Sequence, residues 1–205
     1  MNSKERQESS EHIQEITRNS LTTNSMARKT GGVIMKEFLL PYGKEKLTAK
    51  IEDEHFAGVL LSELHNYKAP KSGAELVQDA LEHPIGTPRL CDMAAGKKKI
   101  VVISSDHTRP VPSHIMMPLI LAEIRKGNPD ADITILISTG LHRSTTKEEL
   151  AAKFGPEIMA NEKIVVHDCD DKDNLVYLGK LPSGGNLIIN RLAAEADLLV
   201  AEGFI

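Results

Sequence analysis

Two stretches of this chain repeat one order of elements, and that repetition limits its possible folds more than any other feature. Ile100-Val101-Val102-Ile103 is an unbroken β-branched run, which suits a strand covered on both faces. A polar loop through Pro112 follows. Ser113 is a good N-cap, and a helix is predicted over 114–126, ending near Gly127. The order then recurs. Residues 133–137 form a second buried strand and 138–145 its loop, and Thr146 with Glu149 makes a capping box for a helix through Phe154. Successive strand-loop-helix units, joined here at Asn128-Pro129-Asp130, imply parallel strands with right-handed crossovers, so their loops leave the sheet at one carboxyl edge. Asp106, Arg109 and His142 are therefore expected to share that edge.

Residues 164–167 and 198–201 read as further strands, with 191–196 as a short helix between them. Upstream, 75–81 and 88–95 look helical, the second stopping before Gly96. Apolar runs at 36–40 and 47–51 flank Pro41-Tyr42-Gly43-Lys44, a hairpin signal. The predicted fold class is α/β: a parallel-sheet Rossmann-like domain over 35–205 with an amino-terminal β-hairpin. Residues 1–34, rich in Ser, Thr, Asn, Gln and Glu, are expected to be a disordered extension. The last strand is followed only by Glu202-Gly203-Phe204-Ile205, where an α/β domain would continue into a loop and a helix. The expectation is a truncated chain whose second, carboxyl-terminal domain is absent.

A net charge of −4 and 3% aromatic residues with no Trp supply neither a phosphate-tracking surface nor a base-stacking platform, which argues against nucleic acid as a partner. No stretch approaches the roughly 20 apolar residues of a membrane span, and the polar start differs from a secretory signal, so a cytoplasmic location away from membranes is expected. Cys91 and Cys169 are too few for a disulfide framework.

The first edge loop places an acid, an imidazole, a hydroxyl and a guanidinium in succession, Asp106-His107-Thr108-Arg109, ahead of Pro110 and Pro112, whose fixed φ limits loop entropy. Arg109 can grip a carboxylate or phosphate with two N–H groups, and Asp106 can orient an imidazole or a ribose hydroxyl. The same Asp and Arg can also pair with each other and cap the helix behind. His142 follows Gly140; an imidazole exchanges a proton near neutral pH, and an adjacent carboxylate would fix its tautomer. A base beside an anion-binding Arg suits proton abstraction from a small hydroxy or keto acid. His167-Asp168-Cys169-Asp170-Asp171 has metal-capable side chains but no ligand spacing, so a solvated acidic loop is the plainer reading and a metal-dependent hydrolase the lesser one. Leu181-Pro182-Ser183-Gly184-Gly185-Asn186 reads as a turn, since no GK[ST] follows it. From these residues alone, a non-catalytic α/β domain holding a nucleotide or organic acid stays open.

Taken together, several motifs resemble the amino-terminal half of the nickel-dependent lactate racemase family, from about Met35 onward. They are Ser104-Ser105-Asp106-His107-Thr108-Arg109-Pro110-Val111-Pro112-Ser113-His114, Thr139-Gly140-Leu141-His142-Arg143, Leu181-Pro182-Ser183-Gly184-Gly185, and Ala193-Ala194-Glu195-Ala196-Asp197-Leu198-Leu199 with Glu202-Gly203-Phe204-Ile205. The resemblance implies a cytoplasmic isomerase of two α/β domains that interconverts L- and D-lactate or a related 2-hydroxy acid. It implies a nickel-pincer nucleotide, nickel bound to pyridinium-3,5-bisthiocarboxylic acid mononucleotide, in the cleft between the domains. In that family a histidine removes the hydroxyl proton while the carbon-bound hydrogen passes as hydride to the cofactor's pyridinium ring. A planar keto acid forms, and return to either face gives either enantiomer. His142 matches the first of two such histidines. Asp106, His107, Thr108 and Arg109 match the cofactor-contacting segment, with Arg109 also the substrate-carboxylate partner. The second histidine, the cofactor's lysine tether and the nickel-ligating histidine are expected beyond residue 205. No metal ligand is thus expected within the chain, which by itself is expected to take up no nickel and to racemise nothing.

Overall fold

The computed structural model describes residues 28–30, 33–60 and 62–203. The chain divides into two compact units, Met1–Tyr67 and Lys68–Ile205, where the sequence reads one domain over 35–205.

The first unit is an antiparallel sheet of β1 (Arg28–Thr30), β2 (Val33–Tyr42) and β3 (Glu45–Glu52) in the order β1-β2-β3. The long strands turn at Gly43, whose φ of 60° is a left-handed conformation that a glycine adopts without a Cβ penalty. Glu37 pairs with Lys50 across the strands, and their side chains meet at 3.0 Å in this register. Phe38 stacks on Phe56 with ring centroids 5.3 Å apart. Arg28–Thr30 pairs with the start of β2, so regular structure begins inside the stretch read as disordered. The rest of that expectation, residues 1–27 and 31–32, lies outside the described residues.

In the second unit, α1 (Gly73–Glu82) and α2 (Leu90–Ala94) precede β4 (Lys99–Ser105), α3 (Ser113–Gly127) and β5 (Asp132–Ser138). Then come α4 (Lys147–Phe154), α5 (Pro156–Asn161), β6 (Lys163–Val166), β7 (Leu175–Lys180), β8 (Asn186–Asn190), α6 (Arg191–Ala194) and β9 (Leu198–Ala201). Four strands form one parallel sheet in the order β6-β5-β4-β9. The central strands are buried on both faces, as the sequence predicts: Ile100, Val101 and Val102 in β4, and every residue from Ile133 to Ile137 in β5. Helix α3 lays Met117, Ile120, Leu121 and Ile124 on the sheet at the spacing of one helical face, and Leu150, Phe154 and Ile158 complete the core.

Two local outcomes differ from the sequence reading. Ser113 is the first residue of α3 rather than its N-cap; Pro112 takes the cap position, and the buried Ser113 hydroxyl bonds to a distant carboxylate instead. Strands β7 and β8 form an antiparallel pair around the 181–186 turn, where only the turn was legible. Two amides of that turn are already engaged, Leu181 N–H to Gly185 O at 2.8 Å and Gly184 N–H to Leu181 O at 2.8 Å, so it is a strand reversal rather than a phosphate nest. The Thr146–Glu149 capping box forms as predicted.

Strand order positions the site. From β4 the chain proceeds to β5 and β6 on one side, whereas β9 arrives on the other, so the order reverses beside β4. In open parallel sheets the crevice at such a reversal, outside the carboxyl ends of the strands, is where ligands bind.

Candidate active site

The loop after β4 and the loop after β5 emerge side by side because Ser105 pairs with Ser138 at the ends of parallel strands. The Ser138 hydroxyl donates to Ser104 O at 3.1 Å and draws the two loop bases together. In the second loop His142 N–H donates to Thr139 O at 3.0 Å, closing a turn whose second residue, Gly140, has φ of 57°. That turn aims His142 at the first loop.

Asp106 and His142 meet there: Nδ1 lies 2.6 Å from Asp106 Oδ2. Asp106 is 2% exposed. Its other oxygen, Oδ1, accepts from the Thr108 hydroxyl at 2.6 Å and the Thr108 backbone N–H at 3.0 Å. Burial pushes this carboxyl up, but the bonds from Thr108 and His142 outweigh it and hold the pKa at about 2, so Asp106 is ionised at neutral pH. A carboxylate only accepts. His142 Nδ1 therefore carries the proton of this bond, so that in the neutral imidazole tautomer Nε2 is the lone-pair acceptor. The His142 side chain is 49% exposed, so this second nitrogen can meet a solute.

Of the remaining sequence-predicted residues, Arg109 is exposed, and its side-chain hydrogen bond among the described residues is from Nη1 to Thr108 Oγ1 at 3.2 Å. Thr108 thus links the guanidinium to Asp106. His107 turns elsewhere, with Nδ1 3.2 Å from Thr145 Oγ1 and 3.8 Å from Glu149 Oε2, and so ties the first loop to the second. Glu149 also accepts both arms of Arg143, at 2.9 and 2.6 Å. Arg143, together with the Thr146 backbone N–H, holds the Glu149 carboxyl down at about 2.

A cavity of about 450 Å³ opens beside His142, lined by Leu141, His142, Arg143, Ser144, Val166, His167, Asp168, Cys169 and Asp170. Asp168, Cys169 and Asp170 present ligand-capable atoms within 4.8 Å of one another, but His167 is not in that group. Its Nδ1 lies 3.1 Å from Asn190 Nδ2. The hydrolase reading, which needs His167 with its acidic neighbours, is therefore not assembled among the described residues.

Sequence reasoning missed Glu202, Lys153 and Thr145 as parts of this site. Small hydroxyl residues at both ends of the first loop, Ser104 and Ser113, were the available sign that a polar partner would be buried beneath it. No helix among the described residues is long and apolar enough to cross a membrane.

Known proteins show the same arrangement of sequence. Residues 42–205 match the family model described as lactate racemase N-terminal domain. The chain is 56% identical over 171 residues to a lactate racemase of Thermoanaerobacterium thermosaccharolyticum, covering 83% of this chain and 40% of that protein. It is 52% identical over 166 residues to a lactate racemase of Lactiplantibacillus plantarum, covering 81% and 39%. The solved structure of the lactate racemase apoprotein from T. thermosaccharolyticum superposes with a TM-score of 0.72 at 54% identity, over 82% of this chain and 39% of that one. The chain thus spans about two fifths of the length of the relatives it matches. With a parallel sheet, loops converging on one edge and a match over most of its length, the chain belongs to the lactate racemase N-terminal domain family.

Proposed function

We propose that this chain is the amino-terminal part of a 2-hydroxy-acid racemase acting on lactate, and that His142 is its first proton acceptor. The observation that carries the reading is the 2.6 Å bond from His142 Nδ1 to an ionised, buried Asp106. That bond orients the imidazole, fixes the proton on Nδ1 and stabilises the imidazolium formed when Nε2 accepts a second proton. Arg109 supplies an exposed guanidinium on the same loop, suited to a two-pronged bond with a substrate carboxylate. The carboxylate would orient a 2-hydroxy acid with its hydroxyl toward His142 Nε2.

The donor set also fits an anionic nucleotide. Arg109 has N–H groups to spare beyond the one given to Thr108. Arg109 and Thr108 would hold a nickel-pincer nucleotide, while His107 would act indirectly by joining the loops through Thr145. When bound, that cofactor supplies an acceptor and donor for the carbon-bound hydrogen as hydride. The contribution of this chain is to bind the acid, take the hydroxyl proton at His142 and return it. The work is cytoplasmic in this reading, and the rest of the racemase's length completes the site.

The test is His142→Ala in the cofactor-loaded enzyme. Interconversion of L- and D-lactate should fall by about 10²–10⁴-fold with nickel content unchanged. Wild-type turnover in this variant would remove His142 from the chemistry and favour a domain that binds an organic acid without transforming it.

A further inference from the structure

One buried acid of the second unit has no part in the chemistry proposed above. Glu202 follows β9 and is 7% exposed. Its Oε1 accepts from Ser104 Oγ at 2.5 Å and from Ser113 Oγ at 2.6 Å, while Oε2 is buried with no hydrogen-bond partner. Its own backbone is held by an N–H bond to Ile103 O at 2.9 Å, which extends the ladder between β4 and β9. Ser104 and Ser113 are both fully buried, and they bracket the segment 105–112 that carries Asp106, Thr108 and Arg109. One oxygen therefore joins the two ends of that loop.

We propose that Glu202 is a positioning residue: by binding Ser104 and Ser113 through a single carboxylate oxygen, it clamps the 105–112 loop and holds Asp106 against His142. Fixing both ends of a loop removes most of the conformations its interior can sample. The loop's own bonds, such as His107 to Thr145 at 3.2 Å and Asp106 to His142 at 2.6 Å, tie its interior to the next loop but do not join its two ends. Thr108 is held by Asp106 itself, and Ser113 N–H bonds to Val111 O at 2.8 Å. Burying an acid is costly, and the two short O–H bonds at Oε1 together with a nearby cation offset part of that cost, while Oε2 is left without a hydrogen bond. The cation is Lys153. Its ammonium donates to Ser105 Oγ at 3.3 Å, at the loop's first residue. Burial lowers the Lys153 pKa, while the carboxylates of Glu202 and Asp106 act in the opposite direction, so this cation serves both acids. A residue that merely filled space would need neither hydroxyl partner nor cation.

The catalytic consequence rests on reading His142 as the proton acceptor; the clamp itself does not. Amide hydrogen exchange of Thr108 reads the clamp, and the proton resonance of the hydrogen-bonded His142 Nδ1–H reads its effect on the pair. Glu202→Ala should speed Thr108 exchange by at least about tenfold and broaden the His142 signal, with Val102 and Ile135 amides unchanged. Glu202→Gln keeps an oxygen that can accept from both serines and should restore both readouts. Should Glu202→Ala fail to fold, Ser113→Ala cuts one arm alone and should also speed Thr108 exchange. Unchanged Thr108 exchange would overturn the proposal, as would equal acceleration at Val102 and Ile135, which marks general destabilisation. A mobile loop in Glu202→Ala with full lactate racemisation in His142→Ala would leave the clamp standing and remove the racemase reading. An unmoved loop with an inactive His142→Ala would do the reverse.

Discussion

Asp106 is buried and yet ionised, and the source of that ionisation can be measured. Its carboxyl has an ordinary pKa of 3.8 in the unfolded chain and about 2 in the fold, because Thr108 and His142 together outweigh burial. A folded-state pKa below the unfolded one stabilises the fold above the unfolded value, and that stabilisation is lost as pH falls from about 3.8 to about 2. The difference corresponds to about 2 kcal/mol. Asp106→Asn should therefore lower unfolding stability by about that amount at pH 7, and the gap to the wild type should close as pH falls through that window. Urea titrations at pH 7, 3 and 2 measure it, and a gap independent of pH would mean that the ionised carboxylate is not its source. In the loaded enzyme the same variant should slow turnover by about 10²–10⁴-fold, since an amide no longer dictates which imidazole nitrogen holds the proton. The approach of Asp106 to His142 was legible in the sequence, because loops of successive parallel units leave by one edge. The contacts of Glu202 were not. Ser104 lies 98 positions from it and Ser113 lies 89, and their meeting depends on β9 lying beside β4, which no local pattern encodes.

Helix α3 presents its core face to the sheet and its carboxyl end to α2, and the second contact leaves no room for a side chain. A Cβ added at Gly127 would collide with the Cys91 backbone carbonyl. Around this contact, Arg89 gives Nε and Nη2 to the buried Glu123 at 3.0 and 2.6 Å. Asn128 Nδ2 bonds to Ala94 O at 3.0 Å and Lys97 O at 2.5 Å. These polar ties hold the helices at close approach, so backbone must shift to admit a methyl group. Gly127→Ala should destabilise the fold by about 1–3 kcal/mol even though alanine is the better helix former, as chemical denaturation would read out. A neutral or stabilising result would mean that α2 moves freely away. In sequence, Gly127 marks only a helix end, and the close packing behind it is invisible. Elements with strong internal pattern are legible in the sequence: the β-branched run of β4, the buried strand β5, and the Thr146 capping box. Strands β7 and β8 escaped because their residues are only half-buried or exposed, so burial imposes no alternation on them.

At the scale of the molecule, the buried core and every candidate site residue belong to one unit. Among the described residues, the core cluster and the partly buried residues packed on it run from Leu81 to Val200, and none comes from the hairpin unit. The order β6-β5-β4-β9 brings the ends of β4, β5, β6 and β9 to one edge, where Asp106, His142, His167 and Glu202 follow their strands. The start of the sheet is fastened within the same unit, since Asp197 Oδ2 accepts from the backbone N–H groups of Lys98 and Lys99, each at 2.9 Å. A core and a polar network that close on themselves should fold without the residues before them. The segment 68–205 expressed alone is therefore expected to unfold in a single cooperative transition and to keep the hydrogen-bonded Nδ1–H resonance of His142. Circular dichroism against temperature and proton NMR check the two halves of this expectation. A segment that folds but lacks the resonance would place the hairpin unit in the support of the catalytic pair. A segment that does not fold would show that the apolar interior of the sheet is insufficient without it.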